Sequence, residues 1–410
     1  MEFRPILSSL KRHKVTAWLL IIQIALTCAI VCNAVFLIGL RLERMNTVSG
    51  VAEHELVQIQ LASLGLRPDA KARTEEDLAA LRQIPGVTQV GVASELPFGN
   101  NENNSSVLLD PKQKLPTLNA ASYGGQNLLQ TLGTRLVSGR NLQNDDFRDD
   151  DTVNKAASTG DVNNPGLPKV AVITQTMAER LWPGKAALGQ QFYLGPFPIT
   201  VVGVVEHLAR PNNFSLGVEY SMVLPIRLTN QGDSSYVIRT APQERQRVLA
   251  AALAVLKKID SRRVVIEKNT YDEVRADFFQ NDRAMAGLLV AVCIALLIVT
   301  ALGIVGLASF WVAQRRRQIG VRRALGATRA NILHYFQTEN FLLATIGIVI
   351  GMVLAFGINL FLMKHYELPR LPAVYFPVGA IALWMIGQLA VLGPALRAAA
   401  VPPVIATRSV

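Results

Sequence analysis

Four long stretches free of Asp, Glu, Lys and Arg dominate this sequence: residues 16–40, 284–313, 340–363 and 371–396. A helix needs roughly 20 apolar residues to cross a hydrocarbon core about 30 Å thick, and every stretch exceeds that. Inside lipid the backbone must satisfy its own hydrogen bonds, so such stretches are helical. Residues 41–283 are of ordinary polarity, and 17% of the whole chain is charged, too much for a bare bundle. The expected fold is therefore an integral membrane α-helical bundle of four transmembrane helices in one-plus-three order. A large α+β domain is inserted between the first and second helices. The first stretch follows Lys11, Arg12 and Lys14, as a signal peptide would. It is longer than the roughly 7–15-residue apolar core of such a peptide and lacks a small-x-small cleavage site, so a retained helix is expected.

The net charge of +11 has a location. Residues 1–15, 314–339 and 397–410 hold twelve Lys and Arg against two acids, Glu2 and Glu339, and the rest of the chain is nearly neutral. Positive charge gathered in short segments beside the spans marks the cytoplasmic side. Residues 1–15 then form a cytoplasmic N-terminus, 314–339 a cytoplasmic loop and 397–410 a cytoplasmic tail. Residues 41–283 and a short link, 364–370, then lie outside. The basicity is topological and implies lipid, not nucleic acid, as its partner.

The outer segment alternates period-2 and helical patterns. Leu56–Ala62, Val87–Ala93, Ser235–Thr240 and residues 169–174, 199–205, 220–226 and 264–267 read as strands. Residues 175–182 and 243–259 read as helices, and another is expected to start at Thr74 through a Thr74-x-x-Asp77 capping box. A helix over 271–283 should run directly into the second span. Residues 145–165 are rich in Asp, Asn, Gly and Pro and predict a mobile loop. Their acids lack the spaced ligands and closing Glu of a calcium loop. The three cysteines, Cys28, Cys32 and Cys293, all fall in spans, so the outer domain is built without disulfides.

Nothing in the sequence points to catalysis or to a bound metal or cofactor. There is no Gly-x-x-x-x-Gly-Lys-Ser/Thr phosphate loop, and Trp182-Pro183-Gly184-Lys185 lacks the required flanks. His-Glu-x-x-His, Cys-x-x-Cys and Gly-x-Ser-x-Gly are absent, and the five histidines are scattered. No charge lies within a span to mark an ion path. Small residues recur at packing distance: Ala25 and Ala29, Cys28 and Cys32, Gly347 and Gly351. Such faces let helices approach closely, within one chain or across a dimer.

The segment after the second span is the most informative. Arg315, Arg316 and Arg317 anchor the helix end at the inner face. Ile319, Leu325, Ile332 and Leu333 fall roughly on one helical stripe, with Gly320 and Gly326 allowing a bend. A surface-lying amphipathic helix and a docking element for a cytoplasmic partner both satisfy this pattern. Ile319-Gly320-x-x-Arg323-Ala324-Leu325-Gly326-Ala327, followed by Ile332, resembles the loop of MacB/FtsX-type ABC permeases, the mechanotransmission class. The family usually carries Glu where this chain has Gln318. Glu339 matches the Glu that opens the family's third span, and Pro394-Ala395-Leu396-Arg397-Ala398-Ala399, Pro402 and Arg408 echo its basic ending. Val170 to Gly184, Leu188-Gly189 and Val201 to Val205 resemble its periplasmic core domain.

The resemblance implies a non-catalytic permease subunit that works with a second copy or a sister permease. A separate ABC ATPase holds ATP and magnesium, and its closure moves the helices. Ile319, Gly320, Arg323, Leu325, Gly326, Ala327 and Ile332 are then the coupling residues, and Gly347 and Gly351 are helix-packing residues. The size of the outer domain favours efflux of a periplasmic substrate, with an adaptor and outer-membrane channel as further partners. FtsX-like activation of a cell-wall hydrolase and lipoprotein release are the alternatives.

Overall fold

A computed structural model describes residues 14–62, 69–99, 101–212, 217–229, 234–366 and 369–400. Of the expected cytoplasmic ends, 1–13 and 401–410 lie outside the described residues, and so do 367 and 368 of the 364–370 link. The chain forms two compact units, one of residues 46–280 and one of the segments before and after it.

The 46–280 unit begins with a four-stranded antiparallel sheet. Its strands β1 (Leu56–Ala62), β2 (Val87–Ala93), β12 (Ser235–Thr240) and β13 (Val264–Thr270) lie in the order β13-β1-β12-β2. Helices Ala70–Arg82 and Arg245–Ile259 link β1 to β2 and β12 to β13, the split β-α-β pattern of ferredoxin-like folds. Leu78, Leu81, Val248 and Ala252 from the helices bury against Val57, Ile59, Val90, Val92 and Ile238 from the strands. Alternation along each strand sends those residues to one face.

Everything between β2 and β12 is an insertion in this sheet. It holds β3 (Asn104–Leu108), β4 (Leu118–Gly124), β5 (Leu136–Gly139), β6 (Arg148–Asp149), β7 (Val170–Thr174), β8 (Gln191–Leu194), β9 (Phe197–Val205), β10 (Ser221–Leu224) and β11 (Ile226–Arg227). Seven of these run in the order β5-β9-β7-β10-β4-β3-β8, and β8 also pairs with β9, so the sheet closes on itself. Val107, Ala120, Ile173, Phe192, Val201 and Met222 fill the interior.

Several expectations change here. The helix expected from Thr74 starts at Ala70, and the Thr74 hydroxyl donates to the Ala70 carbonyl as an interior residue. Asp77 is no capping residue; it sits buried against Arg263 and accepts from the Tyr236 hydroxyl at 2.6 Å. Residues 145–165, read from composition as a loop, contain a 3₁₀ turn, β6 paired with β11, and helix Asp150–Ser158. The helix buries only Ala156, which is why its sequence looks coreless. The expected continuous helix over 271–283 is interrupted: Tyr271–Phe278 ends at Phe279, and the next helix starts at Gln280.

Among its described residues the other unit contains four helices long and apolar enough to cross a membrane: Lys14–Met45, Gln280–Gln314, Arg329–Tyr366 and Tyr375–Ala399. One precedes the 46–280 unit and three follow it. Each of the first three extends beyond its uncharged stretch. Leu20, Ile24 and Cys28 of the first helix, Ile304 of the second, Leu343 and Ile348 of the third and Leu383 of the fourth form one core.

Candidate functional site

The segment between the second and third long helices is one short helix and a turn. Arg315 breaks the second long helix, and a short helix, Arg316–Ala324, follows. It closes with paired bonds: Gly326 N–H donates to the Arg323 carbonyl and Ala327 N–H to the Arg322 carbonyl. This is a Schellman motif, and the residue after the cap must be left-handed. Gly326 takes φ +101° there, so the Leu325-Gly326-Ala327 run encodes a sharp stop. Thr328 then caps the next helix, its hydroxyl accepting from Asn331 N–H at 3.2 Å.

The turn divides the expected apolar stripe. Ile319 and Ile332 are 5% and 4% exposed and pack with Phe336, whereas Leu325 is 83% exposed. A single continuous helix would have set Leu325 beside Ile332 and turned Ile319 roughly 120–140° away; the Schellman turn instead lets Ile319 and Ile332 pack together and leaves Leu325 outside. Gly320 is buried, Ala327 packs at the edge of the core, and Arg323 donates to the Ala399 carbonyl at 3.1 Å. Arg322 lies over the Tyr335 ring at 5.0 Å. A shallow cleft between the two helices is lined by Gln318, Ile319, Arg322, Ile332 and Tyr335.

Of the three expected inner-face anchors, Arg316 and Arg317 are exposed, but Arg315 is not. Its Nη1 donates to both carboxylate oxygens of Glu339, at 3.1 and 2.9 Å. The two side chains are only 10% and 1% exposed. Arg315 is thus a staple between the short helix and the third long helix. Burial wins over surface anchoring because Glu339 compensates the guanidinium charge.

Gly347 and Gly351 face the first long helix. A Cβ on Gly347 would stand 2.9 Å from Ile24 Cβ, and one on Gly351 would stand 2.5 Å from Cys28 Cβ and 2.7 Å from the Ala25 carbonyl oxygen. The small-residue faces therefore meet each other within one chain. Polar residues inside the uncharged stretches add bonds that sequence reading passed over. Thr27 and Thr300 hydroxyls are 2.8 Å apart, Asn33 donates to the Ala355 carbonyl at 3.1 Å, and Asn359 accepts from Leu371 N–H at 2.9 Å. Their signal was simple: Asn and Thr in lipid need a partner.

In the outer unit, Arg210 is buried against Glu102 and donates to Asn104 Oδ1 at 2.9 Å. Nearby Glu95 accepts from Asn103 N–H at 2.7 Å. Burial pushes its carboxyl up to about 8, with the Glu102 charge adding to the rise while the Asn103 N–H and Arg210 oppose it. Among the described residues no three His, Cys, Asp or Glu gather as a metal site.

Comparison with known proteins follows the same division. Residues 21–256 match the MacB-like periplasmic core domain, and residues 290–403 match the FtsX-like permease C-terminal family. The first match alone covers more than half of the chain. The chain belongs to the MacB/FtsX-type permeases. It is a helical membrane protein with a periplasmic domain. The macrolide export ATP-binding/permease protein MacB of Chromobacterium violaceum is 26% identical over 296 residues, covering 70% of this chain and 43% of that protein. The MacB 1/2 protein of Paracoccus denitrificans is 24% identical over 420 residues, covering 98% of this chain and 57% of its own length. The chain thus spans about half the length of these curated relatives. The periplasmic region of MacB from Actinobacillus actinomycetemcomitans aligns over 57% of this chain and 95% of its own, at 13% identity and a TM-score of 0.33. Within this MacB/FtsX-type permease, Arg315–Glu339, the Schellman turn and both packing glycines fall in the FtsX-like match.

Proposed function

We propose that this permease is the transmembrane subunit of an ABC machine in a bacterial inner membrane. Its four long helices span in one-plus-three order, with residues 315–339 on the cytoplasmic side and 46–280 in the periplasm. A separate ATPase, holding ATP and magnesium, docks on the 316–328 helix-turn, and its closure tilts the spans of two permease copies, or of this chain and a sister permease. The product is a conformational change in the periplasmic domain that drives efflux of a periplasmic substrate, with an adaptor and outer-membrane channel completing the path. This chain performs no catalysis itself.

The observation that carries the reading is Leu325. A large apolar side chain, 83% exposed, is held out on a turn whose Leu325, Gly326 and Ala327 N–H groups all donate to backbone carbonyls, and preorganisation of this kind favours binding. The macrolide-export relatives and the insertion of a closed sheet into the outer unit support efflux over signalling. The test is Leu325→Glu in the full chain, purified from membranes in mild detergent. Leu325 packs against little, so insertion and yield should match wild type while the co-purifying ATPase is lost. Undiminished ATPase recovery refutes the docking assignment.

A further inference from the structure

Phe98 is an anomaly. It is one of two non-glycine residues with positive φ among the described residues, at +61°, and it is fully buried. A bulky side chain avoids that backbone region, and such strain persists only where the surroundings enforce it. The surroundings are the two ends of the 46–280 unit. The Phe98 ring packs on Phe278 and Phe279 at centroid distances of 5.4 and 5.1 Å. The Arg275 guanidinium lies over Phe98 at 4.9 Å and over Phe279 at 5.4 Å. The same arginine binds Glu53 at 2.5 Å and donates to the Thr47 carbonyl at 2.9 Å. Beside it the buried Tyr271 hydroxyl donates to the Pro97 carbonyl at 3.0 Å. Arg275 therefore clasps the segment where the chain enters the unit to the helix where it leaves, and with Phe278 and Phe279 it grips Phe98.

Phe98 belongs to the crossover, residues 94–103, that leads from β2 into the closed sheet. Glu95 closes this crossover onto Asn103, and Glu102 at its far end is held by Arg210. Arg210 in turn reaches Asn104 of β3 and the Asn119 carbonyl of β4. One tied path thus runs from the two ends of the unit, through the aromatic cluster, to the closed sheet.

We propose that Phe98 and Arg275 form a latch that transmits displacement of the unit's two ends to the closed sheet, moving it relative to the four-stranded sheet. The inference rests on the permease reading above. Two arrangements of the latch are available in principle, one with Phe98 strained and gripped and one with it released, and packed elements switch between discrete states of this kind. Phe98 and Arg275 are positioning residues; neither touches a substrate.

The test uses the full chain with its co-purified ATPase in nanodiscs. Nitroxides on cysteines placed at Lys112, in the β3–β4 turn, and at Lys258, on the four-stranded side, report the distance between the sheets. In wild type, ATP with vanadate should shift that distance. Phe98→Gly removes the ring and relieves the backbone, and Arg275→Gln opens the clasp. Each should lose at least two-thirds of the shift, with ATP hydrolysis within twofold of wild type, and Arg275→Lys should restore part of it through Glu53. If Phe98→Gly fails to fold, Arg275→Gln decides alone. A full shift in Arg275→Gln, or a wild-type complex that hydrolyses ATP with no shift between the sheets, overturns the latch and leaves the permease reading standing. A wild-type chain that recruits no ATPase overturns the permease reading, and the latch with it.

Discussion

The buried Arg315–Glu339 pair makes a quantitative prediction. Glu339 is almost fully buried, and one guanidinium nitrogen meets both of its oxygens. Removing one partner leaves the other charge desolvated, a loss of roughly 3–5 kcal/mol. Glu339→Gln keeps volume and one acceptor, so it should cost less, about 1.5–3 kcal/mol, the scale of a charged hydrogen bond. Arg315→Met should cost the larger amount because it strands the more buried carboxylate. The double variant Arg315→Met, Glu339→Leu removes both charges and should recover most of the loss, since replacing a buried pair by apolar groups is often neutral. Denaturant titration in mixed micelles, followed by tryptophan fluorescence, measures all four proteins. Trp311 lies 5.8 Å from the Arg315 guanidinium and reports locally. A Glu339→Gln protein within about 0.5 kcal/mol of wild type, or a double variant no better than Arg315→Met, would refute the reasoning.

Two further outcomes are expected. Gly351→Val should lower the stability of the helix unit by about 1–3 kcal/mol through overpacking against Cys28 and the Ala25 carbonyl. Gly357→Ala on the same helix meets nothing within 4 Å and should be neutral or slightly stabilising; matching melting curves for the two variants would sink the packing argument. Glu95 supplies a pH dependence. Its carboxyl is raised to about 8 in the folded unit, while an unfolded Glu ionises near ~4.3. Between those values the unfolded chain binds fewer protons, so stability falls as pH rises from about 4.5 to about 8. The full span is on the order of 5 kcal/mol. Glu95→Gln should flatten that slope and exceed wild type at pH 8.5, which pH-resolved melting of the protein checks.

Parts of this fold were legible because their signal is local. β1, β2 and β12 match the β-branched runs residue for residue, since Val and Ile suit a pleated strand that is buried over much of its length. β3 and β4 were missed. Asn104–Leu108 and Leu118–Gly124 are built from Asn, Ser, Ala and Gly, and their strand state comes from closure of the sheet around Ala120 and Phe192. Strand propensity measures that packing context more than the backbone. Asp77 was misread as a cap for the same reason: its partners Tyr236 and Arg263 lie far along the chain, and no local pattern announces them.

The segment between the second and third long helices shows how a periodicity reading can hide the actual geometry. Helical periodicity sets Leu325 beside Ile332 and turns Ile319 roughly 120–140° away, yet Ile319 and Ile332 are the two that pack. The deciding information was also local, in Leu325-Gly326-Ala327-Thr328, where a left-handed glycine and a capping threonine stop one helix and start the next. Once the stop is recognised, the burial of Ile319 and Ile332 and the exposure of Leu325 follow together. The two helices fold back so that Arg322 covers Tyr335 and Arg315 reaches Glu339. Under the docking proposed above, this elbow with Leu325 at its tip would be the part that receives the ATPase's push. In that proposal the Arg315–Glu339 pair behind the turn would pass the push to the third long helix, whose Gly347 and Gly351 meet the first.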